Sequence, residues 1–284
     1  MPNTPVIFAL WSHLLERLVA VSNSIYEVCN RLAGRSELFD NLIALALDNT
    51  LVKAALLGGC FIAVWHGHQE RSVVERNRRI LVITLMASAL VIATTKTLST
   101  SIFLPRPFIE SQTVFHMDGN RLVETPPLPY RVPLDAQSQK EYQRLQKGEV
   151  SQRDLGSFPS DHAGFYMTLA VGILLASRPL GWLALGWTSV VVLGSRIVTG
   201  QHSPLDIVAG SVIGIAILLA LQLVFEKWFR PLMEPAIAWT FRHQAIATML
   251  VFTAVFEAAN TLQDLSPLIK ITTAIAEHFL GGQR

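Results

Sequence analysis

Four stretches of this chain, roughly 80–104, 163–178, 180–199 and 206–226, are almost wholly apolar. A helix needs about 20 such residues to cross a bilayer. The second stretch is somewhat short, yet informative residues bound it at both ends. Lipid offers the backbone no hydrogen-bonding partners, so segments placed there must close their own hydrogen bonds, as helices do. Composition points the same way. Charged residues make up 15% of the chain and hydrophobic ones 51%, against about 25% charged in a typical soluble domain. The expected fold is all-α, a polytopic membrane helix bundle.

A fifth span is expected over about 50–66, with Lys53 near one end, where its ammonium can snorkel to the interface. The stretch 244–260, apolar apart from Glu257, is the candidate for a sixth, giving five to six transmembrane helices. Residues 5–22 carry His13, Glu16 and Arg17, and a charge at the bilayer centre costs about 2.5–3.5 kcal/mol on insertion scales. Segments 5–30 and 36–48 therefore read as amphipathic helices lying on the membrane or against the bundle, with Ser36 as an N-cap. Residues 264–280 read as a further amphipathic helix. The chain divides into an interfacial N-terminal segment (1–49), a membrane-embedded core (50–230) and C-terminal helices (231–284). Cys29 and Cys60 make no disulfide framework, and no Cys/His cluster has zinc-ligand spacing. No metal and no cofactor are expected. The opening MPNTPVIF lacks the basic region and cleavage site of a signal peptide, so it is expected to be retained.

Between the second and third spans lies a long hydrophilic insert, 108–157. It holds Pro126, Pro127, Pro129 and Pro133, then a helical-looking piece from Asp135 to Lys147 closed by Gly148. It must sit in water, either as a lid or vestibule or as an exposed loop. With five spans, the loops 66–79 and 178–180 share a face with the chain after 226. That face holds Arg71, Arg76, Arg78, Arg79, Arg178, Lys227 and Arg230, which predicts that it is cytoplasmic. Trp65, Trp182 and Trp228 fall at the same level, as an aromatic belt would. The insert then lies outside the cell or in the periplasm, and the protein in the inner (cytoplasmic) membrane.

Three polar clusters fall at the non-cytoplasmic ends of these spans: Arg106-Pro107, Pro159-Ser160-Asp161-His162, and Ser195-Arg196 through to Asp206. In the second, Pro159 breaks the incoming chain and Ser160 can cap a helix whose free amides and dipole attract anions. His162 sits in its first turn. A capped helix with an incidental histidine would read the same way. In the third, Ser203 is a natural cap and Pro204 a natural first helical residue. Asp206 then falls within reach of His202, where a carboxylate could fix the tautomer and leave the other ring nitrogen free to attack. Arg196 can present its planar fork to phosphate oxygens. A His–Asp pair across a helix start can equally be structural.

Together these clusters resemble the signature of the type 2 phosphatidic acid phosphatase superfamily: Lys, six residues, Arg-Pro; then Pro-Ser-Gly-His; then Ser-Arg, five residues, His, three residues, Asp. Ser195, Arg196, His202 and Asp206 match the last element in every spacing, and Arg106-Pro107 the end of the first. Asp161 replaces the glycine, a substitution that resembles bacterial undecaprenyl-diphosphate phosphatases. The lysine also departs from the pattern. Lys96 lies ten residues before Arg106, and the seventh position back is Ser99. On a continuous helix seven residues return nearly to the face of Arg106, whereas ten land about 80° off it. Either Pro105 ends the helix early and restores the geometry, or Lys96 snorkels or faces a polar interior.

The resemblance implies a metal-free, two-step phosphatase. His202 is the nucleophile, Asp206 orients it, and His162 is the acid and then the base. Arg106, Arg196, Ser160, Asp161, Ser195 and Lys96 form the phosphate-binding group. The implied substrate is a lipid phosphate or diphosphate reached from the bilayer, undecaprenyl diphosphate first and phosphatidic acid or phosphatidylglycerophosphate second. A lipid phosphotransferase would use the same phosphohistidine. A haloperoxidase is disfavoured because those relatives are generally soluble. A transporter or binding scaffold would not need a positioned His–Asp pair with two arginines. No nucleic acid partner is expected.

Overall fold

The computed structural model describes residues 4–67, 70–102, 104, 106–107, 115–118, 121–124, 132–133 and 156–261. The helical expectations at 135–147 and 264–280 lie outside these residues.

The N-terminal segment forms two helices, α1 (Thr4–Asn30) and α2 (Glu37–Asp48). Ser36 caps the second, its hydroxyl accepting from the Phe39 amide at 3.4 Å. The turn between them passes through Gly34 at φ 83°, whose N–H the Asp40 carboxylate accepts at 3.0 Å. Of the two placements open to it, α1 takes the one against the bundle. Ser22, Tyr26 and Asn30, one helical turn apart, are buried, while Leu14, Leu18, Val21, Ile25 and Val28 stay exposed. Asn30 Nδ2 donates to the Val198 carbonyl at 2.7 Å, and Ser22 Oγ accepts from the Leu205 amide at 3.0 Å.

Helix α3 (Thr50–Trp65) starts at Asn49, whose side chain accepts from the Leu51 and Val52 amides. It meets α2 at a 68° bend. Lys53 does not snorkel. Its ammonium is buried and donates to the Leu47 carbonyl at 2.8 Å, satisfying a backbone group that the bend leaves open. Trp65 is also inside, 1% exposed, whereas Trp182 and Trp228 are exposed as a belt requires.

The core is built on α4 (Arg71–Ser101), α5 (Asp161–Ala176) and α8 (Pro204–Val224), each packed on the other two. Small residues let the backbones approach. A Cβ on Gly214 would meet the Gly164 carbonyl, and one on Gly172 would run into Thr84. The polar residues of α4 satisfy themselves: Thr84, Ser88 and Thr95 donate to carbonyls one turn back at 2.7–2.9 Å. Between α5 and α8 run α6 (Arg178–Trp187), a π-helical turn (Thr188–Leu193) and α7 (Gly194–Val198). A second π turn (Phe225–Phe229) leads to α9 (Arg230–Arg242) and α10 (Gln244–Thr261).

Among the described residues, three helical runs are long and apolar enough to cross a membrane: Arg71–Ser99, Arg178–Val198 and Pro204–Arg242. The bent pair Glu37–Leu47 and Thr50–Trp65 makes a fourth, and Asp161–Ala176 and Gln244–Phe256 are shorter apolar helices. The expected spans are thus all helical, though not all are of full crossing length. The insert carries strands where loop was expected, β1 (Phe115–Asp118), β2 (Arg121–Glu124) and β3 (Val132–Pro133), antiparallel in the order β1-β2-β3.

The basic residues gather at one end of the core. Arg76 donates to the Leu175 carbonyl, Arg79 pairs with Glu226 at 3.7 Å, and Gln222 donates to the Ile80 carbonyl. Arg78 is buried rather than interfacial. It donates to the Trp65 carbonyl and Thr240 Oγ1, with its guanidinium 4.1 Å from the Phe241 ring centroid. The three polar clusters meet at the opposite end.

Candidate active site

The starts of α5 and α8 lie side by side. The Ser160 amide donates to the Asp206 carbonyl at 3.1 Å, and the Ser160 carbonyl rests against Gly210, where a Cβ would collide with it. Ser160 caps α5 as expected, its hydroxyl accepting from the Ala163 amide at 3.3 Å. Two helix N-termini therefore open on the same space.

His202 is delivered there by the end of α7. Gly200, at φ 72°, supplies the left-handed turn that closes this helix, and the Gln201 amide returns to the Arg196 carbonyl at 2.9 Å. The His202 ring is buried, with Nδ1 at 3.0 Å from the Ser157 carbonyl oxygen. A carbonyl can only accept, so Nδ1 carries the proton and Nε2 keeps its lone pair. Burial, then the positive charges of Arg196 and Arg106, hold this imidazole well below its ordinary range and keep it neutral.

The expected carboxylate bond to His202 is not made. The nearest Asp206 oxygen is 3.9 Å from Nδ1. At the third position of α8 its side chain reaches back instead to the Ser203 amide at 2.7 Å, while the Ser203 hydroxyl accepts from the Asp206 amide at 3.2 Å. This capping box claims the carboxylate. The Ser157 hydroxyl, which donates to the Leu104 carbonyl at 3.1 Å, lies beside the carboxylate. Asp206 and His202 are thus linked through Ser157 and not directly.

His162, in the first turn of α5, is buried, and its Nδ1 lies 2.8 Å from Asp161 Oδ1. The same oxygen accepts the His162 amide at 2.8 Å. The other oxygen, Oδ2, pairs with Lys96 Nζ at 2.7 Å. Asp161 therefore engages its own histidine and a lysine rather than an anion. Helix α4 ends at Ser101 with Ile102 as its cap, so helical periodicity does not run on to Arg106. The 80° offset does not apply, and Lys96 reaches the cluster.

Arg196 is buried, and its charge acts on both His162 and His202. The π turn before α7 widens the helix just upstream and resets the rotation of the next turn, which brings Ser195 and Arg196 inward. The Ser195 hydroxyl donates to the Val192 carbonyl at 3.1 Å, within its own segment. Arg106 donates to the side-chain oxygen of Gln201. Beside Asp206 a cavity of about 80 Å³ opens between Val19 and Ser22 of α1 and the chain at Leu104 and Pro107. The N-terminal helix is thus a wall of this cavity.

Ligand atoms of Asp161, His162 and His202 lie within 4.8 Å of one another, close enough to hold a cation. Lys96 already occupies one of the Asp161 oxygens, and Arg106 and Arg196 add positive charge. The balance favours an anion.

The sequence pattern of the PAP2 superfamily matches residues 78–230. The chain belongs to that superfamily. It is 37% identical over 75 residues to the bacitracin transport permease protein BcrC of Bacillus licheniformis, which covers 26% of this chain and 34% of that protein. It is 31% identical over 83 residues to the putative undecaprenyl-diphosphatase YbjG of Escherichia coli (strain K12), covering 29% of this chain and 42% of that protein. The matches span less than half the length of either relative. No solved structure matches the chain.

Within this PAP2 site, sequence reasoning missed Ser157 and Gln201. Gln201 was findable, as an amide beside His202 inside the most specific element. Ser157 acts mainly through a backbone carbonyl, which no side-chain pattern records.

Proposed function

We propose that this PAP2 protein is a phosphatase acting on a lipid phosphate or diphosphate through a phosphohistidine on His202. The observation that carries the reading is the His202 imidazole, fixed at Nδ1 and neutral, with Nε2 available beside His162 and two arginines. Nε2 attacks phosphorus, forming the P–N bond as the bond to the leaving oxygen breaks. His162 gives that oxygen its proton. Water then attacks phosphorus and passes its proton to His162. The P–N bond breaks, its electron pair returns to Nε2, and inorganic phosphate leaves. Arg106, Arg196 and the helix-start amides around Ser160 stabilise the equatorial oxygens, where positioning and electrostatics supply most of the rate.

Undecaprenyl diphosphate is the leading substrate. The resemblance to a putative undecaprenyl-diphosphatase and the Pro-Ser-Asp-His element support it. The 50–230 region acts as the catalytic core, and the site faces the periplasm or cell exterior, with the arginine-rich end in the cytoplasm. An impermeant thiol probe should then label Ser101→Cys and not Glu70→Cys in intact spheroplasts; the reverse pattern contradicts this orientation. Phosphate release from a panel of undecaprenyl diphosphate, phosphatidic acid and phosphatidylglycerophosphate tests the substrate. His202→Ala should abolish it while the protein stays folded. Full activity in that variant ends the mechanism, and lipid-to-lipid transfer without free phosphate assigns a phosphotransferase.

A further inference from the structure

Two departures from the superfamily pattern meet in space. The lysine stands ten residues before Arg106 where the pattern has seven, and Asp161 stands where it has glycine. Lys96 Nζ lies 2.7 Å from Asp161 Oδ2, and Asp161 Oδ1 holds both the amide and Nδ1 of His162 at 2.8 Å. We propose that Asp161 is the positioning residue for the His162 imidazole, and that Lys96 acts through Asp161 as half of a coupled pair rather than by touching phosphate. The inference rests on the reading of His162 as proton donor.

The physical case comes from what each residue would do alone. A glycine before His162 leaves the imidazole without an orienting partner. A carboxylate on Nδ1 fixes the ring, aims Nε2 at the leaving oxygen and balances the imidazolium that must give up its proton. That carboxylate, uncompensated, would repel an incoming phosphate. Lys96 cancels it, and its position suits that task. Three residues earlier on α4 is about 4.5 Å further from the helix end, level with the start of α5 rather than with Arg106. Ser99, at the spacing the pattern prescribes, turns its hydroxyl back to the Lys96 carbonyl at 2.9 Å. Each substitution makes sense in the presence of the other.

Among the described residues, the other charges that act on His162 are those of Arg196 and Lys53, and its ring neighbours include Tyr166, whose centroid is 6.3 Å away. Arg196 and Lys53 are cationic, which leaves Asp161 as the anion that steadies a protonated His162.

The test is a double-mutant cycle on the full-length protein in mixed micelles with undecaprenyl diphosphate, using Asp161→Asn, Lys96→Met and both. Asp161→Asn should lower kcat about 10- to 100-fold, as loss of an imidazole's outer partner does, with KM little changed. The alkaline limb of the kcat/KM profile should move to lower pH. Lys96→Met should move the same limb to higher pH, because the freed carboxylate then favours the imidazolium more. In the Asp161→Asn background Lys96→Met should have little further effect. An equal factor for Lys96→Met in both backgrounds, or an unmoved limb in Asp161→Asn, overturns the pair. Imidazole 15N spectra report without turnover: the Nδ1–H signature of His162 should be lost in Asp161→Ala, which leaves no acceptor at that position, and kept in His202→Ala. If the wild type releases no phosphate, the functional reading fails while these spectra still decide the Asp161–His162 bond. Unchanged spectra in Asp161→Ala reject it.

Discussion

His202 is oriented by the backbone of Ser157: Nδ1 lies 3.0 Å from that carbonyl and 3.9 Å from the nearest oxygen of Asp206. The carboxylate is spent on the helix cap. This changes what a substitution at Asp206 should do.

Where a carboxylate alone fixes the tautomer, converting it to an amide can cost about 10⁴ in kcat. Here the Ser157 carbonyl keeps Nδ1 protonated, so Asp206→Asn should lose far less, and its remaining amide oxygen can still accept from the Ser203 amide. Asp206→Ala removes the capping box and should also destabilise the protein by about 1 kcal/mol. Steady-state kcat and thermal unfolding of the two variants check this. A loss near 10⁴ in Asp206→Asn would return the orienting role to Asp206.

The pH dependence comes from the same ring. Its folded value is depressed below 6.5 by burial, Arg196 and Arg106, so the ring stays neutral as pH falls through 6.5. The acid limb of kcat/KM assigned to His202 should therefore lie below pH 6.5. The sign for stability is opposite. Below 6.5 the unfolded chain takes up a proton that the folded ring refuses, so this group's contribution to stability falls as pH drops towards the folded value. Activity should outlast stability on acidification. Arg106→Gln removes one positive charge and should shift the acid limb upward. A limb above 6.5 in the wild type contradicts the account.

Apolar runs gave the positions of α3, α4, α5, α8 and α10, because burial in lipid leaves a strong, local pattern. The spacing from Ser195 to Asp206 marked out Arg196, His202 and Asp206, which the fold brings together as buried neighbours. The features that stayed hidden depend on three-dimensional detail. The fate of Lys96 turned on where α4 stops, and the sequence offered only Pro105 as a hint. The Asp206 carboxylate had two partners in reach, and the nearer Ser203 amide won. The strands at Phe115–Asp118 and Arg121–Glu124 flank Gly119-Asn120, a recognised two-residue hairpin signal. The surrounding prolines and polar residues, which suggest loop, mask it. Lys53 was placed by a bend between α2 and α3 that no periodicity reveals.

Chelation separates the anion-site reading from a metal-dependent one. Arg106, Arg196 and the two helix starts supply the positive potential that a cation would otherwise bring. Phosphate release should therefore survive EDTA, and vanadate, which can adopt a five-coordinate geometry, should inhibit. Activity lost on chelation and restored by a divalent ion would assign the Asp161, His162 and His202 cluster to a metal.

The backbone approach of Gly210 to Ser160 tests whether packing sets the site. The Ser160 carbonyl sits where the Cβ of a larger residue at position 210 would be, and the Gly164 amide is 3.2 Å from the same point. Backbone cannot yield as a flexible side chain can. Gly210→Ala should force α5 and α8 apart, cost about 1–3 kcal/mol as overpacking does, and displace the cap that carries His162. Both thermal stability and kcat should fall, although residue 210 touches no reacting atom. Gly186 on α6 is the matched control, since a Cβ there meets nothing within 4 Å. Gly186→Ala should leave turnover unchanged and stabilise its helix by up to about 1 kcal/mol. Equal behaviour of the two variants would mean that contact between α5 and α8 does not position the site.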